Sequence, residues 1–164
     1  MKTGEHIILD VSVTDRKNIS NEADIDKFLY EVTKVAGMTL AVPPISLRFP
    51  VDEAVIENCK MSLEKNHLRE FEKQVVLTTL SERAKTGNLG GFGVSGTAIW
   101  VESHCAVHTW EKEKFVTIDM FSCKNLDLKK MIDYVTDFFS VKDGRYIKLE
   151  RFTDNEPKII QGAL

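Results

Sequence analysis

The chain has 164 residues, 43% of them hydrophobic and 29% charged, with a formal net charge of −3. That length suits one domain with its own core, and the composition is that of an ordinary globular protein. No basic stripe marks a nucleic-acid surface, and no apolar run reaches the roughly 18 residues of a membrane span. The start, Met1-Lys2-Thr3-Gly4-Glu5-His6, has no signal-peptide apolar core. The expectation is a cytoplasmic protein with neither nucleic-acid nor membrane partner.

Taken in order, His6 to Val13 is β-prone and reads as a strand. A polar turn follows, and Ser20 or Asn21 is placed to cap a helix over residues 22 to 36. In that helix Ile25, Phe28, Leu29, Val32, Val35 and Ala36 recur at helical spacing, and Gly37 stops it. Met38 to Val42 reads as a short strand. Pro43-Pro44 interrupts it, Ile45 to Phe49 resumes it, and Pro50 ends it. Over residues 52 to 84 we expect a helix lined by Val55, Ile56, Cys59, Met61 and Leu63, then a strand near Gln74 to Leu80. A second helix lined by Phe71, Val75 and Val76 is the alternative. Residues 86 to 93 form a glycine-rich loop. No Gly-Lys-Ser/Thr follows it, so it is not a phosphate-binding loop.

Val94 to Val101 and His104 to Thr109 read as strands, and Phe115 to Phe121 alternates and should pair as a hairpin. Asn125 or Asp127 caps a helix whose apolar face is Leu128, Met131, Ile132, Val135, Phe138 and Phe139. Asp143-Gly144 reads as a turn, Tyr146 to Phe152 as a last strand, and the tail from Asp154 as loose chain. Two one-sided helices among several strands give an α+β fold. We expect a two-layer sandwich, a mostly antiparallel sheet with the helices side by side on one face.

Chemistry concentrates in one stretch. Gly93-Val94-Ser95-Gly96 precedes Glu102-Ser103-His104, then His108-Thr109-Trp110, then Phe121-Ser122-Cys123. A hydroxyl beside a carbonyl, imidazoles and a thiol are thus gathered within a few strands. The cysteines number three (Cys59, Cys105, Cys123) with no Cys-x-x-Cys, so neither disulfide nor metal site is expected. Cys59 and Cys105 read as small buried hydrophobes.

These elements, in this order and spacing, resemble the small bacterial and archaeal S-adenosylmethionine decarboxylases. The resemblance is close over residues 93 to 140. It implies one domain over residues 1–164 that cuts itself between Glu102 and Ser103 into a β chain, 1–102, and an α chain, 103–164. The cofactor it implies is a pyruvoyl group derived from Ser103, and the assembly is a homodimer of processed protomers sharing active sites. Such a carbonyl accepts the electrons left when an α-amino acid loses carbon dioxide.

In that scheme Ser103 attacks the Glu102 carbonyl, and His108 is the base, since a neutral imidazole takes a proton near pH 7. Ser95, at even spacing from Ser103, is expected on the same face as a hydrogen-bonding aid to processing. Cys123 returns a proton to the substrate, so its removal is expected to spare cleavage. The small-molecule substrate is expected against Trp110, Glu111, Glu113 and Phe92. Three positions depart from the family: Leu89 stands where an adenine-stacking phenylalanine is usual, Glu111 where a proline is usual, and Lys112 where a ribose-binding glutamate is usual. The function implied is S-adenosylmethionine decarboxylation, making the aminopropyl donor for spermidine. Arginine or ornithine decarboxylation by the same means, and an unprocessed regulatory or binding paralogue, are the alternatives.

Overall fold

The structure is a computed structural model that describes residues 4–50, 53–65, 69–86, 92–151 and 156–164. Its elements in chain order are β1 (Glu5–Val13), α1 (Glu22–Val35), β2 (Ile45–Phe49), α2 (Glu53–Glu64), α3 (Glu70–Thr86), β3 (Gly93–Trp100), β4 (Ser103–Trp110), β5 (Phe115–Ser122), α4 (Leu128–Phe139), β6 (Val141–Glu150) and β7 (Lys158–Ala163). The strands form one seven-stranded sheet in the order β2-β3-β4-β5-β1-β6-β7, antiparallel at every pairing.

Strict alternation sets the two faces of this sheet. Ile7, Leu9, Val11 and Val13 of β1 turn inward with Val94, Ala98 and Trp100 of β3, Cys105 and Val107 of β4, and Val116, Ile118 and Met120 of β5. Against them lie Ile25, Phe28, Leu29 and Val32 of α1 and Met131, Val135 and Phe139 of α4. Burying each large apolar side chain contributes about 1.5–3 kcal/mol. Phe28 joins the helices, with ring centroids 4.8 Å from Phe139 and 5.8 Å from Tyr134. The expected two-layer α+β sandwich is therefore what forms. Among the described residues no helix is long and apolar enough to cross a membrane.

The caps are specific. Asn21, not Ser20, caps α1 by accepting from the Asp24 N–H, and Gly37 follows the helix with φ 65°. Asp127, not Asn125, caps α4 by accepting from the Lys130 N–H. Cys105 is fully buried, and burial pushes its thiol pKa up, as expected of a cysteine used for packing.

Five expectations are corrected. Residues 70–86 are helical (α3), so no strand forms at Gln74 to Leu80; α3 packs on α2 as a helical pair. Met38 to Val42 contributes a single bridge, Leu40 to Trp100. Asp143-Gly144 is not a turn but lies inside β6, opposite Ser12 and Val11. The reversal happens earlier, at Ser140, which ends α4 with φ 53°. A Cβ at Gly144 would sit 2.7 Å from the Asp10 carbonyl oxygen, so this glycine serves a close strand approach. The strand expected from Tyr146 ends at Glu150, and Phe152 lies outside the described residues. The tail is not loose where it is described: Lys158–Ala163 adds β7 to the edge of β6.

Candidate active site

The site grows from the β3–β4 hairpin. Trp100 pairs with Ser103, so only Val101 and Glu102 make the turn. Glu102 has φ 66°, a left-handed conformation that glycine adopts freely and a glutamate does not. Such a residue stores roughly 1–3 kcal/mol of backbone strain, here on the amino side of the Glu102–Ser103 peptide bond.

The end of β5 supplies the rest. The Cys123 thiol donates to the Glu102 carbonyl oxygen (3.2 Å), and the Cys123 N–H donates to Ser103 Oγ (3.4 Å). One residue therefore holds both the hydroxyl and the neighbouring carbonyl. Ser103 is buried on the helix-covered face, whereas Cys123 is exposed.

Ser95 and His108 form a second cluster elsewhere. They face each other across β3 and β4, and Ser95 Oγ lies 2.8 Å from His108 Nδ1. The expectation that Ser95 shares a face with Ser103 is wrong. The two-residue turn exchanges odd for even positions between the strands. Ser103 falls in the inward row with Cys105 and Val107, and Ser95 falls in the outward row with His108. Five residues of strand separate Ser103 from His108, about 16 Å along β4. Within one protomer the imidazole and the Ser103 hydroxyl thus lie on opposite faces of the sheet and far apart.

The expected substrate-binding residues gather with His108, not with Ser103. The Trp110 ring lies between His108 (6.4 Å) and Phe115 (5.8 Å). The Glu111 N–H donates to the Phe92 carbonyl (2.8 Å), and Glu111 Oε2 lies 3.5 Å from Arg48 Nη2. The Lys112 ammonium sits 4.5 Å from the Phe92 ring centroid. Glu113 is exposed on the turn into β5. Leu89 lies outside the described residues. Sequence reasoning gave Arg48 no part, since its pairing with Glu111 depends on how β2 meets the end of β4. Among the described residues no group of three His, Cys, Asp or Glu side chains could hold a metal.

The scaffold explains other motif residues. Thr109 accepts from the Val94 N–H (2.7 Å) and donates to the Ile19 carbonyl (2.8 Å). A Cβ on Gly93 would meet the Thr109 carbonyl oxygen at 1.8 Å, and one on Gly96 would meet Ile25 Cγ2 at 2.7 Å. His104 lies outward with its ring 5.7 Å from that of Phe121.

The family model described as S-adenosylmethionine decarboxylase matches residues 51–152, a span that holds both clusters. The chain belongs to the S-adenosylmethionine decarboxylase family. It is 31% identical over 88 residues to the S-adenosylmethionine decarboxylase proenzyme of Pyrococcus horikoshii, covering 47% of this chain and 63% of that one. With the Sulfolobus acidocaldarius proenzyme it shares 34% over 95 residues, covering 52% and 71%. The match to the Methanococcus aeolicus proenzyme is longer and weaker, 23% over 149 residues, covering 90% and 92%. The chain thus spans less than two thirds of the Pyrococcus relative. The crystal structure of the adenosylmethionine decarboxylase from Aquifex aeolicus superposes with a TM-score of 0.62 at 18% identity, covering 94% of this chain and 96% of that one, which establishes a shared fold. Within this family, then, the chain sets Lys112 against Phe92 and Arg48 against Glu111.

Proposed function

We propose that the chain is a self-processing decarboxylase that acts on S-adenosylmethionine through a pyruvoyl group made from Ser103. Membership of the family supports this, and one observation carries it: Cys123 holds the Glu102 carbonyl with its thiol and the Ser103 hydroxyl with its N–H. Ser103 Oγ adds to the Glu102 carbonyl carbon, and negative charge builds on the oxygen that the thiol already faces. The C–N bond then breaks and the Ser103 nitrogen takes a proton, leaving an ester. Strain at Glu102 favours this departure from the peptide.

A base next removes the Ser103 Cα proton. The Cβ–Oγ bond breaks and Glu102 leaves as the carboxylate end of residues 1–102. Water enters, ammonia departs, and the pyruvoyl group remains at the head of residues 103–164. When formed, that group supplies the electron sink that decarboxylation needs. Cys123, beside it, is the proton donor to the substrate carbon. The decarboxylated product is the aminopropyl donor for spermidine synthesis.

The base is His108, held by Ser95, but from a second copy of the chain. Within one protomer it lies about 16 Å along the strand and on the other face. A homodimer that brings the Ser95–His108 cluster of one copy to the Ser103–Cys123 cluster of the other completes the site. The substrate then spans both copies, with Trp110, Phe92, Glu111 and Glu113 on the His108 side.

The test is direct. Purified protein should separate on a denaturing gel into 1–102 and a 103–164 fragment blocked to N-terminal sequencing, and Ser103→Ala should stay whole. Labelled carbon dioxide should come from S-adenosylmethionine when arginine and ornithine are offered at equal concentration. Release from an amino acid alone would refute the substrate, and a chain that never cuts would refute the mechanism.

A further inference from the structure

We infer that Glu5 and Lys148 are positioning residues for Cys123, a reading that rests on the proposed role of that thiol. Their side chains form an ion pair (2.8 Å) between β1 and β6 and are 8% and 9% exposed. A pair this buried offers little net stability, because desolvation offsets most of its attraction. Its other contacts are what distinguish it. Glu5 Oε2 accepts from the Leu126 N–H (2.7 Å), and Lys148 Nζ donates to the Leu126 carbonyl (3.0 Å). The pair thus grips both backbone groups of one residue in the segment between β5 and α4. The Asn125 amide, with its nitrogen toward the carboxylate, adds a donor to Glu5 Oε1 (2.7 Å).

That segment begins with Cys123. Its start is tied where the Lys124 N–H donates to Ser122 Oγ (2.8 Å), and its end where Asp127 caps α4. The Leu126 side chain is buried in the core, while a small cavity of about 30 Å³, lined also by Gly4, Glu5, Glu150 and Arg151, lies beside Cys123, Lys124 and Asn125. Core packing anchors the Leu126 side chain, and the clamp fixes its backbone and with it how far Cys123 sits from the Glu102 carbonyl and Ser103 Oγ. A cleavage or proton-transfer geometry loosened by about 1 Å loses on the order of 10²-fold in rate. An apolar pair at positions 5 and 148 would pack as well but leave both Leu126 groups unpaired.

The experiment uses the full chain carrying Lys148→Met, Lys148→Arg or Glu5→Gln, with folding checked by circular dichroism. Lys148→Met should slow cleavage by about 10- to 100-fold. In the fraction that cuts, kcat should fall while KM stays near the parent value, because the displaced group is Cys123. Lys148→Arg, which keeps the donor, should restore both. A second readout needs neither cleavage nor turnover: in the uncut Ser103→Ala chain, Cys123 alkylation by iodoacetamide should rise severalfold with Lys148→Met and not with Lys148→Arg, with Cys59 as the internal reference. Should Lys148→Met fail to fold, Glu5→Gln is judged by the same criteria. Folded variants that alkylate and cleave at parent rates overturn the inference, as does faster alkylation with unchanged cleavage. If the unmodified chain itself never cuts, the proposed function falls, and alkylation alone decides the clamp.

Discussion

At the scale of single residues, the proposed mechanism gives Cys123 a part in cleavage as well as in turnover. The sequence suggested that Cys123→Ala would spare processing. With the thiol on the Glu102 carbonyl, its loss removes a donor from the oxygen where charge develops. Cys123→Ala should therefore slow cleavage by about 10- to 100-fold, since a thiol is a weaker donor than those at most oxyanion sites. Fragment accumulation over time measures this, and cleavage at the parent rate would rule it out. His6 offers a pH prediction. Its pKa is lowered mainly because burial disfavours the imidazolium; Asp119 at 3.2 Å partly offsets this, while Arg151 and His104 reinforce it. Between the folded value and 6.5 the unfolded chain binds the proton first. His6 thus contributes stability that is full above pH 6.5 and is lost as the pH falls toward the folded value. The urea midpoint should drop between pH 7.5 and 5, and His6→Gln should flatten the drop.

At the scale of elements, the β3–β4 hairpin determines which residues meet. Its glycines are there for packing. Gly96→Ala drives a methyl into Ile25 and Leu29 of α1 and should cost about 1–3 kcal/mol by thermal melting. Gly93→Ala meets backbone at 1.8 Å and should cost more; a smaller loss than for Gly96→Ala would contradict the geometry. Much of this was legible. Alternation along residues 6–13, 94–101 and 115–121 marks the inward rows, and the helical spacing from Ile25 to Val32 marks the face that covers them. What alternation leaves open is parity between strands, which a single residue in the turn reverses. That is why even spacing alone puts Ser95 on the face of Ser103. Gln74 to Leu80, expected as a strand, lies in a largely exposed helix, where no sheet partner fixes the period. Asp143-Gly144 has turn chemistry yet serves strand contact, and Glu5 and Lys148, 143 positions apart, carry no signature that links them before β1 pairs with β6.

At the scale of the whole molecule, the proposed shared site makes a genetic test available. Co-expressed Ser103→Ala and His108→Ala chains, each uncut alone, should form mixed dimers with one working site, so that part of the His108→Ala chain is cleaved. No cleavage in the mixture, with mixed dimers confirmed by mass, would place the base within one protomer or elsewhere. The sheet order bears on what cleavage leaves behind. Residues 1–102 supply β1, β2 and β3, and residues 103–164 supply β4 to β7, yet β1 lies between β5 and β6. The fragments are interleaved along three strand boundaries, β3–β4, β5–β1 and β1–β6. The proposed cut in one turn would therefore free neither piece, and each protomer would become a pair of fragments that share a single sheet. Unfolding of the cut protein would then be a dissociation. Dilution should lower the melting temperature of the cut protein through mass action between its two pieces.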